Sequence, residues 1–210
     1  MASVSPFAAA DVRGFLHRPT KESGAGLVLT HGAGANCEAP LLVATAQAFC
    51  DAGLTVLRCD LPFRQKRPSG PPSPANAAAD RAGLRRAVAE MRGLVSGPVF
   101  LAGHSYGGRQ ASMLAAEEPT IATALLLLSY PLHPPKKPQQ LRTAHFPALR
   151  TRAVFVHGTA DPFATIAELE TAIAAIPAPH RLIVVDGAGH DLRRGRLDFT
   201  APVSAVLTGA

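Results

Sequence analysis

Short apolar runs alternate along this chain with longer segments of helical period, and this alternation limits the fold more than any other feature of the sequence. Seven runs of mostly apolar residues occur, at 12–16, 26–30, 55–58, 98–102, 122–128, 153–156 and 181–185. Most are nearly continuous in apolar residues, which is typical of strands covered on both faces. The alternation predicts an α/β protein with a mostly parallel sheet of about seven strands and helices on both faces.

Apolar residues between these runs recur at helical spacing. The two clearest stripes are Leu84, Val88, Met91 and Val95, and Ile166, Leu169, Ile173 and Ile176. Their steps of three and four residues place each stripe on one helix face, against a sheet. A further helix, with its apolar positions within 41–49, is predicted to end at Gly53, and a last helix is predicted over 202–207.

The organisation of the chain predicts one domain over residues 1–210. A length of 210 residues fits one generous domain better than two small ones. Two proline-rich connections, 61–74 and 130–150, interrupt the alternation. Their length and position are typical of ordered loops rather than of linkers between domains.

Composition argues against several classes of protein. Hydrophobic residues make up 47% of the chain, too many for a disordered protein. The net charge is +6, but the basic residues are scattered and the chain has no Trp and only two Tyr, so no nucleic-acid interface is predicted. The apolar run at 124–128 is far too short for a membrane span, and residues 1–10 lack the basic start of a secretion signal. We therefore expect a cytoplasmic protein without a membrane span.

The cysteines suggest no covalent or metal framework. Cys37, Cys50 and Cys59 are odd in number and form no CxxC pair. Neither a disulfide pattern nor a cysteine zinc site is predicted, and we expect three free thiols.

The segment 99–108, VFLAGHSYGG, combines a strand, a G-x-S-x-G motif and the start of a helix. A serine on such a tight strand-to-helix turn projects its oxygen from the edge of the sheet, and small residues two positions to either side let strand and helix approach closely. Gly103 and Gly107 hold those positions here. The context predicts that Ser105 is a nucleophile.

A serine nucleophile needs a base, and the topology separates the candidate histidines. The carboxyl ends of parallel strands meet at one edge of a sheet, where catalytic groups gather. His190 follows the strand 181–185, whereas His180 precedes it and belongs to the opposite edge. His190 is therefore the predicted base.

The acid that orients the base is predicted to be Asp161. It follows the strand 153–156 at the same edge, and the chain order Ser, Asp, His is that of one group of hydrolases. Asp60 also follows a strand, and Asp186 lies near His190 in sequence, so both remain alternatives. Asp191 is adjacent to His190 and is expected to point elsewhere.

The loop 31–36, HGAGAN, follows the strand 26–30 and is rich in glycine. Its backbone is free to aim N–H groups at a developing oxyanion, so the backbone N–H groups of Ala33 and Tyr106 are the predicted donor pair. The loop lacks the Walker spacing with its Lys and the G-x-G-x-x-G pattern, which argues against nucleotide binding.

Several basic residues could contact the substrate. Arg64, Lys66 and Arg67 follow a strand and could receive a carboxylate or a phosphate, although a solvated face is the alternative. His133 follows the strand 122–128 and is a candidate pocket residue. The same ambiguity between binding and solvation holds for Arg193, Arg194 and Arg196.

Four motifs in this order resemble the α/β-hydrolase superfamily, and within it the small enzymes grouped with dienelactone hydrolases. They are HGAG at 31–34, GHSYGG at 103–108, HGTADP at 157–162 and GAGH at 187–190. The resemblance implies a Ser-Asp-His triad, a small-molecule ester or thioester substrate and no cofactor or metal. Dienelactone hydrolases commonly have a cysteine nucleophile, so Ser105 argues for a different substrate. The 21 residues of 130–150 are too few for the large cap domains of many relatives.

Two other functions remain open at this stage. A hydrolase-like fold can serve as a noncatalytic binding scaffold, because fold does not determine function. An acyltransferase or a perhydrolase would use the same residues with an acceptor other than water.

Overall fold

The computed structural model of this protein describes residues 2–195 and 197–209. The strands are β1 (Ser3–Ala9), β2 (Val12–Arg18), β3 (Gly26–Thr30), β4 (Thr55–Cys59), β5 (Val99–His104), β6 (Ala124–Leu128), β7 (Arg152–Gly158) and β8 (His180–Val185). The helices are α1 (Pro40–Asp51), α2 (Pro62–Lys66), α3 (Ala77–Leu94), α4 (Tyr106–Glu117), α5 (Ile166–Ile173) and α6 (Thr200–Thr208).

One sheet of eight strands joins these elements in the order β1-β2-β4-β3-β5-β6-β7-β8. The six strands from β3 to β8 are parallel, and β1 and β2 are antiparallel to their neighbours. The predicted α/β architecture is thus confirmed, with eight strands in place of about seven.

The additional strand is β1, which the sequence pattern does not reveal. It is largely exposed, contains Pro6 and pairs only with β2 at the sheet edge. An edge strand tolerates proline and needs no apolar run, because neither of its faces is fully covered. Ala10, with φ of 45°, turns the chain back into β2.

Two apolar layers cover the sheet, one on each face. Helices α3, α4 and α5 pack on one face, and α1 and α6 pack on the other. The first layer includes Leu84, Val88, Met91, Leu114, Leu169 and Ile173, and the second includes Leu42, Phe49, Ala205 and Val206. Strand β6 is buried along its whole length, as its uninterrupted leucines predict.

The two proline-rich connections are ordered, as predicted, and each contains helical structure. The segment 61–74 begins with α2, where Pro62 takes the first helical position, at which no backbone N–H is needed. The segment 130–150 contains one 3-10 turn, Phe146–Ala148, and buries Tyr130 and Leu149. It therefore packs onto the sheet as a loop.

The three cysteines lie in the interior of the protein. Cys37, Cys50 and Cys59 are free and buried. Burial raises the pKa of the Cys50 thiol, and that of Cys37 is raised to about 12. Among the helices in residues 2–195 and 197–209, none has the length and hydropathy needed to cross a membrane.

One buried and two half-buried histidines make the stability of the fold depend on pH. Burial lowers the pKa of His17, His104 and His145 from 6.5 to about 4. Between these two values the unfolded chain binds more protons than the folded protein. The free energy of unfolding therefore rises with pH in this window, and it falls as the pH drops from about 6.5 towards 4.

We expect urea denaturation to show this loss, with a slope of up to about 1.4 kcal/mol per pH unit for each histidine. His145→Gln should reduce this slope by up to about 1.4 kcal/mol per pH unit, the contribution of one histidine. Glutamine does not titrate and can keep the 2.8 Å contact with Ser112 Oγ. The exposed His180→Gln is the matched control. Equal slopes for wild type and His145→Gln would contradict a neutral His145 in the folded state.

Candidate active site

Ser105 occupies a strained turn between β5 and α4. Its φ of 51° and ψ of −117° lie in a region that residues other than glycine rarely adopt. The turn is held on both sides, since the Ser105 N–H donates to Leu128 O at 2.8 Å and Ser105 O accepts from the Arg109 N–H at 2.9 Å. Because α4 starts one residue later, the serine stands at the carboxyl edge of the parallel strands.

The glycines that flank this serine are required by close contact. A Cβ atom on Gly103 would lie 2.4 Å from the backbone nitrogen of Gly108. A Cβ atom on Gly107 would lie 2.5 Å from His31 O, on the neighbouring loop. Neither backbone neighbour can move aside as a flexible side chain could, so strand, helix and loop meet only with glycine at both positions.

The structure brings Ser105, His190 and Asp161 together from three separate loops. His190 Nε2 lies 2.8 Å from Ser105 Oγ, and His190 Nδ1 lies 2.8 Å from Asp161 Oδ2. The carboxylate can only accept, so Nδ1 carries the proton and Nε2 accepts from the serine hydroxyl. Asp161 has no side-chain exposure, while His190 retains 23%.

Two aromatic rings hold the His190 imidazole in place. The Phe163 ring lies 4.2 Å from it between centroids, and the Phe163 N–H donates to Asp161 Oδ1 at 2.9 Å. His104 packs at 5.1 Å on His190 and donates from Nε2 to the His190 carbonyl oxygen at 2.8 Å. With a pKa lowered to about 4 by burial, His104 is neutral near pH 7 and adds no charge beside the imidazole.

The alternative acids have other partners. Asp60 Oδ1 accepts from the Cys37 N–H at 2.7 Å, which ties β4 to the glycine-rich loop. Asp186 Oδ1 accepts from Thr159 Oγ1 at 3.2 Å. In the part of the chain that the structure describes, no three His, Cys, Asp or Glu side chains form a group that could hold a metal ion.

The charged residues 191, 193 and 194 do not line the pocket that contains Ser105. Asp191 accepts from the Arg193 N–H at 3.2 Å, and its carboxylate lies 3.6 Å from the Arg193 guanidinium. Arg194 is exposed. Arg196 lies outside the described residues.

The Gly32–Ala33 peptide is oriented by His31. The Leu61 N–H donates to His31 Nε2 at 3.1 Å, so His31 Nδ1 carries the proton and donates to Gly32 O at 2.8 Å. Burial lowers the pKa of His31, which favours this neutral form. In a trans peptide the N–H points opposite to the C=O, so the Ala33 N–H points away from His31.

Tyr106 is the first residue of α4, so its N–H has no acceptor within the helix. Its phenol donates to Asp80 Oδ2 at 2.7 Å, and Asp80 Oδ1 accepts from the Phe63 N–H at 3.0 Å. The fully buried Asp80 thus connects α3, α2 and the start of α4. Asp80 was not predicted from the sequence, although its place four residues before Leu84 on an apolar stripe indicates a buried acid.

Arg64 does not have the position that the sequence analysis expected. It is buried and donates to four backbone carbonyls. The acceptors are Ala35 O at 2.7 Å, Ala33 O at 2.8 Å, Arg67 O at 3.1 Å and Gly70 O at 3.1 Å. With its donors used in this way, Arg64 supports the glycine-rich loop from behind instead of receiving a substrate.

The other predicted substrate-binding residues also lie outside the pocket at Ser105. Lys66 is exposed, and the exposed Arg67 donates to Pro71 O. His133 is buried, with Nδ1 at 2.8 Å from Pro134 O and Nε2 at 3.5 Å from the Glu168 carboxylate. None of these three side chains lines the pocket.

A pocket of about 460 Å³ opens at Ser105. Its lining is Ala33, Pro71, Pro72, Ser73, Pro74, Ala77, Ser105, Tyr106, Arg109, Met113, Pro131, Arg142 and Phe163. Most of these side chains are apolar. Two are arginines that were not predicted from the sequence to lie in the pocket. Arg109 could have been found, because it follows Ser105 by one helical turn. The sequence holds no comparable signal for Arg142.

A mostly parallel sheet, with helices on both faces and a strained serine between strand and helix, defines the α/β-hydrolase class. A family profile described as alpha/beta hydrolase domain matches residues 23–201. This match covers most of the 210 residues, and the chain belongs to the alpha/beta hydrolase family.

A sequence relative and several solved structures are similar to this chain. Epoxide hydrolase A of Mycobacterium tuberculosis is 40% identical over 58 residues, which are 27% of this chain and 18% of that protein. The chain therefore aligns with less than a fifth of that relative.

The structural neighbours are similar over nearly their whole length. Dienelactone hydrolase from Anabaena variabilis has a TM-score of 0.70 at 20% identity, covering 97% of this chain and 94% of its own. Est1E from Butyrivibrio proteoclasticus, with ferulic acid bound, has a TM-score of 0.75 at 15% identity, covering 96% of this chain and 95% of its own. A serine hydrolase of Xanthomonas campestris, described as without lid, has a TM-score of 0.72 at 14% identity, covering 97% of this chain and 92% of its own. These likenesses confirm the fold that the resemblance in sequence implies.

Proposed function

We propose that this protein is a serine hydrolase that cleaves a carboxylic ester or thioester through an acyl-enzyme intermediate. The observation that carries the proposal is the pair of 2.8 Å hydrogen bonds that links Asp161, His190 and Ser105 at the edge of a pocket. A serine hydroxyl is a weak nucleophile alone, and a base held by an acid activates it.

Acylation uses all three side chains. Ser105 Oγ attacks the acyl carbonyl carbon while His190 Nε2 takes its proton. Asp161 keeps the imidazole in the correct tautomer and stabilises its positive form. The imidazolium then protonates the leaving alcohol or thiol as its bond to the acyl carbon breaks.

The oxyanion of the tetrahedral intermediate accepts hydrogen bonds from the N–H groups of Ala33 and Tyr106. The first residue of α4 also places the positive end of the helix dipole at this point. Loss of one such donor typically costs about 2.7–4 kcal/mol of transition-state stabilisation. His31 and Asp80 hold the two donors by the contacts described above.

Deacylation repeats the chemistry with water. His190 takes a proton from water, the hydroxide oxygen bonds to the acyl carbon, and Ser105 leaves with its proton restored by the imidazolium. An acyltransferase or perhydrolase would differ only in the acceptor. Product analysis with competing nucleophiles separates these outcomes from hydrolysis.

Labelling with a fluorophosphonate probe tests the proposal directly. We expect one covalent adduct, located on Ser105 by peptide mass spectrometry and lost in Ser105→Ala. Ser112→Ala is the matched control, because Ser112 Oγ lies 2.8 Å from His145 Nε2 but has no place in the proposed triad. A folded wild-type protein that takes no label would favour the noncatalytic scaffold.

A further inference from the structure

The pocket at Ser105 contains two arginines without an acidic partner. Within residues 2–195 and 197–209, neither Arg109 nor Arg142 makes an ion pair. Among the described contacts, the buried Nε atom of Arg109 has no hydrogen-bond partner, and the Arg142 guanidinium has one long contact of 3.4 Å to Pro131 O. The neighbouring Tyr130 phenol interacts with the Arg109 guanidinium but carries no opposite charge, because its pKa is raised by burial.

Two other arginines of the chain instead have several hydrogen bonds to the backbone. Arg64 donates to four backbone carbonyls, and Arg152 donates to the carbonyls of Ala205 and Val206. Since a charge removed from water is costly unless it is paired and hydrogen-bonded, two half-buried guanidinium groups with no acidic partner on one pocket wall point to an anionic ligand.

The two arginines also act on each other. Burial and the nearby charge of Arg109 lower the pKa of the Arg142 guanidinium. Two positive groups that repel each other in a partly apolar pocket bind an anion better than either does alone, because the anion offsets both charges. Guanidinium groups match the carboxylate geometry and can bind it in bidentate fashion.

The position of Arg109 limits how far that anion lies from the reacting carbon. The Arg109 N–H donates to Ser105 O at 2.9 Å, so Arg109 follows Ser105 by one turn, about 5.4 Å, and both residues line the pocket. Met113 and Phe163 are apolar parts of the same pocket wall. A substrate that contacts both Ser105 and Arg109 therefore carries its anion a few atoms from the scissile carbonyl.

We propose that Arg109 and Arg142 form a subsite for a carboxylate on the substrate, so that short acidic esters are preferred over neutral ones. This inference rests on the proposed ester hydrolysis at Ser105. It assigns the specificity of that site to two residues that take no part in bond breaking.

Matched pairs of substrates test the subsite. The first pair, monoethyl glutarate and ethyl glutaramate, compares an acid with an amide on the acyl side of the ester. The second pair, 4-acetoxybutyrate and 4-acetoxybutyramide, makes the same comparison on the alcohol side. The amide of each pair has nearly the shape of the acid but no charge. We expect wild-type kcat/KM to favour the acid by about 10- to 100-fold in at least one pair, the range of a charge-assisted hydrogen bond.

Variants connect that preference to the two arginines. Arg109→Gln and Arg142→Gln should each reduce the ratio of acid to amide to below about threefold. Arg18→Gln is the control for net charge, because the exposed Arg18 lies on β2 beside Glu22 and should keep the wild-type ratio. An acid-to-amide ratio near one in wild type for both pairs, or a ratio unaltered in both pocket variants, would overturn the subsite.

A binding measurement keeps the two proposals separable. Titration calorimetry with glutarate needs no turnover, and we expect binding to wild type that Arg142→Gln weakens at least tenfold. Failure to cleave any ester while glutarate binds in this way would reject the hydrolase and support the subsite. Cleavage of neutral esters with no acid preference and no glutarate binding would reject the subsite and leave the hydrolase.

Discussion

Replacement of His190 by alanine is expected to lower kcat/KM for a short-chain aryl ester by roughly 10⁵-fold, to the level left by the oxyanion donors and substrate binding. The imidazole is the only group within hydrogen-bond distance of Ser105 Oγ among the described side-chain contacts that can take its proton. Initial rates with 4-nitrophenyl acetate, corrected for spontaneous hydrolysis, measure the loss. Circular dichroism checks that the variant folds.

A histidine at the opposite end of β8 from the His190 loop provides the control. His180 begins β8, and His190 follows the end of that strand, so His180→Ala removes an imidazole far along the same element. Its activity should stay within about threefold of wild type, as for an exposed residue without a role in the site. Retained turnover in a folded His190→Ala protein would remove His190 from the role of base.

The second large effect is expected for Asp161→Asn, with a loss of about 10⁴-fold in kcat. The variant side chain would present an amide to His190 Nδ1, and the amide nitrogen favours the tautomer whose Nε2 carries the proton. That tautomer cannot accept the Ser105 proton. The substitution preserves shape, so steady-state kinetics report the lost tautomer control and charge stabilisation rather than a cavity.

The competing acids supply matched variants for this measurement. Asp186→Asn changes a carboxylate close to His190 in sequence, but one that accepts from Thr159. Asp60→Asn changes a carboxylate that accepts from the Cys37 N–H. Both variants should retain most of the activity. A loss in Asp60→Asn or Asp186→Asn as large as that in Asp161→Asn would contradict the role of Asp161 as the acid that orients His190.

Much of the fold could be predicted because it rests on local patterns. Apolar runs mark the buried parallel strands, and steps of three and four mark α3 and α5. The edge strand β1 could not be predicted, because its residues gain little burial and their pairing with β2 depends on a two-residue turn.

The partners of the basic residues could not be predicted from the sequence. No sequence pattern separates Arg64 from Arg109 and Arg142. In the structure, however, Arg64 donates hydrogen bonds to backbone carbonyls, whereas Arg109 and Arg142 line a pocket. An arginine has a long stem and several donors, so its partner is whatever distant segment the fold places within reach. The acceptor Ala33 O, for example, lies 31 residues from Arg64 along the chain.

The sequence by itself determined the strand–serine–helix turn, the order of the motifs and the edge at which they meet. These follow from glycine positions and strand direction, which act over a few residues or are set by topology. Only the tertiary structure shows that the Asp161 carboxylate contacts His190 while those of Asp60 and Asp186 have other partners, and that two arginines line the pocket while Arg64 does not. That choice depends on distances between side chains far apart in the chain, and such distances exist only once the sheet has formed.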